Sequence, residues 1–306
     1  MNRREFLLRG GILGLGLTSP YSFANSSSSN KKKNSNNSSL DKQISYLRSK
    51  AKEVPSGNLL REHWKNIIGD FNSDLDDAER NFKISKSKKL LPIIGVEYGK
   101  PYEGYPSGFD VESPSGCKGL AQFSFAGFYD ACNWVSLIGE KRDLKSSLDI
   151  FSPFLSDKER MRDIFDKIFK SQFFDLNGQI ISSGEIQIGA LGAYFNKLMS
   201  HLNNASLAFY SYNIGLESTI KLLEKYAEIK VGERVNLSPS PGVYDFNTIR
   251  SLSKLYNITP QTLLAIPQVS NYFDEIKAQK GLFYMDKSYY DKIQIAQLEL
   301  KKTNLV

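Results

Sequence analysis

From residue 40 onward, apolar side chains recur at helical spacing along almost the whole chain, and strand-type alternation is scarce. This pattern restricts the fold more than any other feature. An apolar stripe of period 3.6 is buried most readily against other helices. Leu40 to about Lys52, Leu59 to Phe71 and Asp74 to Phe82 each carry the stripe. The stretch SKSKKLLPIIGVE, residues 85–97, turns strongly apolar, with Pro92 near its first turn, where a missing N–H costs least. Phe125 to Ile138 reads as a buried helix with Ser124 as its N-cap. Ser156 and Glu159 form a capping-box pair opening a helix that runs to about Phe173. Ser183 caps a helix that puts Ile188, Leu191, Phe195, Leu198 and Leu202 on one face, and Ala205 to Tyr226 reads as one further long helix. Residues 231–245, VGERVNLSPSPGVYD, interrupt the pattern with Pro and Gly. Short helices then start near Asn247 and at Thr259-Pro260. Only Gly178 to Ser182 carries a strand signal. The expected class is mainly α, and 306 residues suffice for one large domain or two small ones.

Ahead of this lies MNRREFLLRGGILGLGLTSPYSFAN, with a charged head, an apolar run from about Gly10 to Leu17 and a small-residue exit at Ser22-Phe23-Ala24. That is the anatomy of an export signal, with cleavage expected after Ala24 and residues 1–24 removed. The run is too short to span a bilayer, so no stable membrane anchor is expected. Arg3-Arg4 followed by Phe6-Leu7 resembles a twin-arginine signal, and a general secretory signal is the alternative. Residues 25–39, only Ser, Asn and Lys, have nothing to bury and read as a disordered linker. The whole-chain charge of +7 does not point to nucleic acid, because +5 of it lies in residues 1–39. Export places Cys117 and Cys132 in an oxidising compartment, either as a disulfide or as two separate thiols. His63 and His201 stand far apart without cysteine neighbours, so no zinc site is expected, nor any other cofactor.

Three stretches stand in an informative order. LLPIIGVEYG, residues 90–99, delivers Glu97 near the end of an apolar helix. SPSGCKGLAQF follows at 113–123, and QIGALGAYFNKLMSHLNNASLAFYSYNIG at 187–215. Together they resemble the lytic transglycosylases of the lysozyme-like superfamily, which cleave peptidoglycan. In that family a glutamate ends a buried helix. A Ser-x-x-Gly-x-x-Gly-Leu-x-Gln stretch, an Asn-Ile helix and an Ala-Tyr-Asn-x-Gly motif then follow. The resemblance covers about residues 88 to 216, with a further piece at 265–276. It implies Glu97 as the catalytic acid, with Ser113, Gly119, Leu120, Gln122, Tyr212 and Asn213 as the substrate side, and Glu185 and Gln187 in support. The departures are specific. Tyr98 stands where the family has Ser or Thr, and the gap from Glu97 to Gly119 is longer than usual. Glu103 is the alternative acid at the more usual distance, but it sits among Gly, Pro and Tyr without the apolar run that buries a carboxyl. Gln187-Ile188 replaces Asn-Ile, and Ser211 to Gly215 vary the last motif.

The chemistry implied needs one carboxyl. A carboxyl in apolar surroundings has a raised pKa and can protonate a glycosidic oxygen near neutral pH. In the family the resulting carboxylate then serves as base for the sugar's own 6-hydroxyl, which closes on C1 and leaves a 1,6-anhydromuramyl end. Ordinary glycosidases need a second carboxylate instead. The implied architecture is a lysozyme-like domain over 85–276 with a helical N-terminal extension at 40–84. Residues 216–262 are a helical excursion or insertion, and 277–306 a C-terminal tail. The short helices at 246–266 also faintly resemble a glycan-binding LysM module, though its usual Gly-Asp-Thr turn is missing. The implied partner is peptidoglycan glycan strands in the periplasm. The alternatives are a hydrolytic muramidase on the same fold, a non-catalytic wall-binding or scaffold protein, and a helical adaptor in an envelope complex.

Overall fold

The computed structural model describes residues 32–51, 54–84, 90–98, 112–113, 116–142, 146–169, 174–176, 179–181, 183–240, 242–281 and 285–303. The export signal, the start of the linker and Glu103 lie outside these residues. The fold is mainly helical. Its α-helices are α1 (Lys32–Lys50), α2 (Gly57–Asn81), α3 (Leu90–Tyr98), α4 (Phe125–Arg142), α5 (Lys158–Ile168), α6 (Ser183–Leu202), α7 (Ala205–Ile214), α8 (Leu216–Val231), α9 (Phe246–Leu255), α10 (Pro260–Leu264), α11 (Pro267–Lys280) and α12 (Tyr289–Lys302). A 3₁₀ turn spans Asp149–Phe154. Two three-residue antiparallel strands, β1 (Phe174–Leu176) and β2 (Gln179–Ile181), pair with Phe174 opposite Ile181, which places the expected strand in a small hairpin. No helix among the described residues is long and apolar enough to cross a membrane.

Helix α6 lies at the centre, with fourteen of its twenty residues buried. Helices α2, α4, α7 and α9 all pack on it. Gly184 and Gly192 on α6 leave room for Phe71 of α2 and for Phe82, which caps its C-terminal end; their rings stand where a Cβ would be. Helix α3 is apolar on all sides, as a helix enclosed by others should be. Leu90, Leu91, Ile93, Ile94 and Val96 are all buried, and the Trp64 indole N–H of α2 donates to the Leu91 carbonyl at 2.9 Å. This contact fixes the rod that carries Glu97.

Several boundaries differ from expectation, each for a local reason. Residues 32–39 are helical rather than part of a disordered linker. Once Ile44, Leu47 and Ala51 pack on Ile295 and Leu298 of α12, extending the helix backward costs little, because nucleation is the expensive step. The two stripes at 59–71 and 74–82 form one helix interrupted only at Phe71, whose φ/ψ of −135°/27° is non-helical. Asp157, not Ser156, caps α5 by accepting the Arg160 N–H, and the helix stops at Ile168. The single helix expected over 205–226 is divided at Gly215, whose φ of +82° and ψ of 152° suit glycine alone. The 40–84 segment is no separate extension, since Leu60, Trp64, Leu75 and Phe82 belong to the same core as α6. Residues 216–262 likewise contribute Ile220, Leu223, Ile249 and Leu252 to that core. Nor is 277–306 a tail: α12 packs against α1, α2, α3 and α7 and buries Tyr289, Ile293, Ile295, Ala296 and Leu300.

Candidate functional site

Glu97 sits one residue before the end of α3, half-buried, with the apolar rod behind it. The glycine-rich stretch forms a tight double-bridged loop next to α4. The Ser113 N–H donates to the Cys117 carbonyl (2.8 Å), and the Cys117 N–H donates to the Ser113 hydroxyl (3.0 Å). Lys118 and Phe123 exchange two backbone bonds of 2.8 Å, closing a turn over Gly119–Gln122. The turn needs left-handed backbone at both ends, with φ of +77° at Gly119 and +48° at Gln122. The Gln122 amide donates to the Gly119 carbonyl at 2.9 Å and so holds the loop's shape. Lys118, largely buried, ties the loop to Asp166 of α5 (2.6 Å) and to Glu112 (3.5 Å). Burial opposes its charge, but these carboxylates outweigh burial and raise its pKa.

Gln187 explains the glycine. Its carbonyl oxygen accepts the Leu120 N–H at 2.8 Å, while its amide donates to the Ser183 hydroxyl, which in turn donates to the Ile168 carbonyl. A Cβ on residue 119 would stand 2.2 Å from that Gln187 oxygen and 2.5 Å from the Phe169 ring. The loop is therefore pressed onto α6 by a buried amide. Gln187 thus holds the loop through the backbone of Leu120.

Tyr212 brings the pieces together. From α7 its hydroxyl donates to the Ala121 carbonyl at 2.7 Å, and its ring meets Phe123 and Tyr194 edge-on at 6.0 and 5.6 Å. Burial, and then the nearby Glu97 charge, push its pKa well above the ordinary phenol value. Glu97, the Gly119–Gln122 loop and Tyr212 thus converge. Asn213 turns elsewhere: its side-chain oxygen accepts the Asp286 N–H at 3.0 Å and anchors the start of α12. Asp286 also takes Lys292 at 2.6 Å and accepts from Ser288. Burial alone would raise the Asp286 pKa, but Lys292 and Ser288 outweigh it and hold the carboxyl below its usual range.

That anchored helix supplies a residue the sequence did not single out. Tyr289, buried at the first position of α12, aims its hydroxyl at Glu97. Burial, then the Glu97 charge, raise its pKa well above that of a free phenol. The hydroxyl lies within reach of the carboxylate but outside the geometry of a formed hydrogen bond, and it has no formed bond to any other described residue. The two phenols are complementary. Tyr212 donates its hydroxyl hydrogen to the Ala121 carbonyl, which leaves its oxygen lone pairs to accept from a protonated acid. Tyr289 keeps a proton to offer, which suits a carboxylate. A paired Tyr289-Tyr290 just after a turn was the available signal, but it reads equally well as core packing.

Of the two readings of the cysteines, the structure has the separate thiols: Cys117 and Cys132 are not bonded to each other. Cys117 is half-buried in the loop, while Cys132 faces the core from α4, where burial pushes its thiol pKa up. Glu185 does not turn toward the loop. It stands two residues from Gln187 on α6, on the far side of the helix, and faces Asp74 and Asp77 of α2. Burial first, then these two carboxylates, raise its pKa. No cluster of His, Cys, Asp and Glu among the described residues has the arrangement to hold a metal ion. Comparison with protein-family models, with curated proteins and with solved structures finds nothing that matches this chain.

Proposed function

We propose that this protein is a peptidoglycan lytic transglycosylase in which Glu97 is the sole acid and base. The observation that carries the reading is the meeting of three separated stretches at one place. Glu97 on α3, the Gly119–Gln122 loop and Tyr212 on α7 share one neighbourhood, with Tyr289 closing it. Protonated Glu97 gives its proton to the leaving glycosidic oxygen as the C1–O bond breaks. The carboxylate then takes the proton of the muramyl 6-hydroxyl, whose oxygen bonds to C1. The proton lost in the first step is regained in the second, and the product ends in a 1,6-anhydro ring. Because the nucleophile belongs to the substrate, its effective concentration is high and no second carboxylate is required. Among the described residues, Glu97 is the acidic side chain whose charge acts on both Tyr212 and Tyr289, which suits a single-carboxyl route better than a double-displacement one.

The experiment is incubation of purified sacculi with the wild type and with Glu97→Gln, followed by mass analysis of the released muropeptides. Wild type is expected to release anhydro-ended fragments and the variant none. Reducing ends instead would identify a hydrolytic muramidase. Equal sparing of the sacculi by both proteins would defeat the enzymatic reading.

A further inference from the structure

Helix α12 has two faces, and they belong to different cores. Tyr289, Ile293, Ala296 and Leu300 join the main core. Ile295 instead joins Ile44 and Ala51 in a small cluster of its own, with Leu47, Val54 and Leu298 packed around it. Helices α1 and α12 run antiparallel. Asp41 pairs with Lys302 at 2.6 Å, Arg48 pairs with Glu299 at 3.4 Å, and the Asp291 charge acts on Lys50. Helix α1 therefore braces α12 from its last turn to its first, and Asp291 stands two residues from Tyr289. The first turn needs the brace, because Ser288 at the N-cap makes no capping bond through its side chain. What holds that turn is the anchoring of Asp286 by Asn213 and Lys292, together with α1.

Helix α1 itself is held lightly. Over residues 38–51 the buried apolar side chains are Ile44 and Ala51. The ion pairs of α1 stand open to water, with the Asp41 side chain 57% and the Arg48 side chain 30% exposed, and such pairs contribute little. Lifting α1 strands no charge either. Glu299, well buried, keeps Lys302 at 3.6 Å. Its carboxylate also lies 2.6 Å from where a Cβ on Gly57 would be, at the first residue of α2, and the positive end of a helix favours an anion there. A segment with few buried contacts, and with no charge to orphan, opens below the free energy of global unfolding.

We propose that α1 is a strap that docks and lifts independently of the rest of the chain and thereby regulates the site. Docked, it braces the first turn of α12 and keeps the Tyr289 hydroxyl beside Glu97. Lifted, it lets that turn fray and takes the donor away from the acid. The strap and the acid are thus coupled through one helix, with Ile295 and Glu299 at the receiving end and Tyr289 at the other. The inference rests on the catalytic reading for what is regulated, but its test needs no cleavage.

Hydrogen exchange on the full chain should find α1 at least about tenfold less protected than α6. Ile44→Asp lifts the strap. Asp41→Lys, which turns the pair with Lys302 into a repulsion, is the milder variant. Both should lower protection in the first turn of α12 about tenfold and leave α6 unchanged, which also shows that the variants fold. In protein carrying carboxyl-labelled glutamate, Ile44→Asp should move the Glu97 titration upward by about one pH unit, because the carboxylate loses a donor. Tyr289→Phe should move it equally, and the double variant no further. A merely structural loosening would add the two effects. The proposal is overturned if α1 is as protected as α6, if the first turn of α12 keeps its protection while α1 loses its own, or if the Glu97 titration ignores the strap. A Glu97 that responds to Ile44→Asp, in a protein whose wild type cleaves no sacculi, upholds the strap and rejects the catalytic reading.

Discussion

Replacing Tyr289 with Phe should make the protein more stable and less active. The hydroxyl is fully buried without a formed hydrogen bond, and an unsatisfied buried hydroxyl costs about 1–3 kcal/mol. Phenylalanine keeps the ring and its packing and removes only that penalty, so no cavity forms. We expect a gain of about 1 kcal/mol, at the low end because the Glu97 charge recovers part of the cost in the wild type. For a chain of 306 residues that raises Tm by about 1.5–2 °C. In the proposed reaction the same hydroxyl would be the donor available to Glu97 once it has released its proton. A hydrogen bond to a charged group is worth about 1.5–3 kcal/mol, which corresponds to a roughly 10- to 100-fold loss in kcat. Differential scanning calorimetry gives the first quantity and the rate of anhydromuropeptide release the second. A variant that melts below the wild type while cleaving at the wild-type rate would refute the reasoning on both counts. Its hydroxyl would then be satisfied in the fold and irrelevant to the acid.

Gly119→Ala should cost more than 2 kcal/mol, since it adds left-handed strain to a contact that Gln187 and Phe169 cannot both yield; a urea midpoint shift measures it. Asp286→Asn leaves Lys292 buried and unpaired, with an expected loss of about 3 kcal/mol, and Asp286→Asn with Lys292→Met should recover most of it in chemical unfolding. Because the folded Asp286 pKa is depressed, its stabilisation is complete above the ordinary value of 3.8 and disappears as pH falls through the lowered value. His201 acts higher on the scale. Its folded pKa of about 4 against an ordinary 6.5 means that acid protonates the unfolded chain first, so stability is full above pH 6.5 and declines toward pH 4. The 2.5-unit difference corresponds to at most about 3.4 kcal/mol, reduced to about 1–2 by the solvent the ring still meets. His201→Phe should flatten the unfolding free energy between pH 6.5 and 4, and an unchanged slope would show that another group is responsible.

The helical class was legible because it depends on local spacing, and α4 and α10 begin where Ser124 and Thr259 offer caps, with α9 starting one residue before the expected Asn247. Boundaries that depend on distant partners were not. Lys32 to Ser39 contain nothing that calls for a helix, and the reason for one lies some 250 positions away on α12. The break at Gly215 was hidden because an apolar stripe continues in phase on both sides of it. A glycine within such a stripe reads as a tolerated cost until its φ of +82° is known. Cys117 and Cys132 illustrate the converse. Fifteen positions of separation permit a bridge, but the hydrogen bonds of the loop and the inward face of α4 direct the two thiols to different surroundings.

At the site, what could be read were the residues that act through backbone geometry. Gly119 needs its conformation, Gln187 needs the Leu120 N–H, and both requirements leave a residue-type signature. Tyr289 leaves none, because a buried tyrosine in a core looks the same whether or not its hydroxyl meets a carboxylate. Asn213 resolves this ambiguity. In the sequence it belongs to the motif of Tyr212, where it is expected to fix the turn or the substrate; in the fold it holds the Asp286 backbone, which with Lys292 sets the first turn of α12 and hence the direction of Tyr289. The two tyrosines that bracket Glu97 are thus linked through one asparagine, neighbour to the first and anchor of the second. A change at Asn213 would therefore reach the acid through Tyr289, without any contact between Asn213 and a sugar.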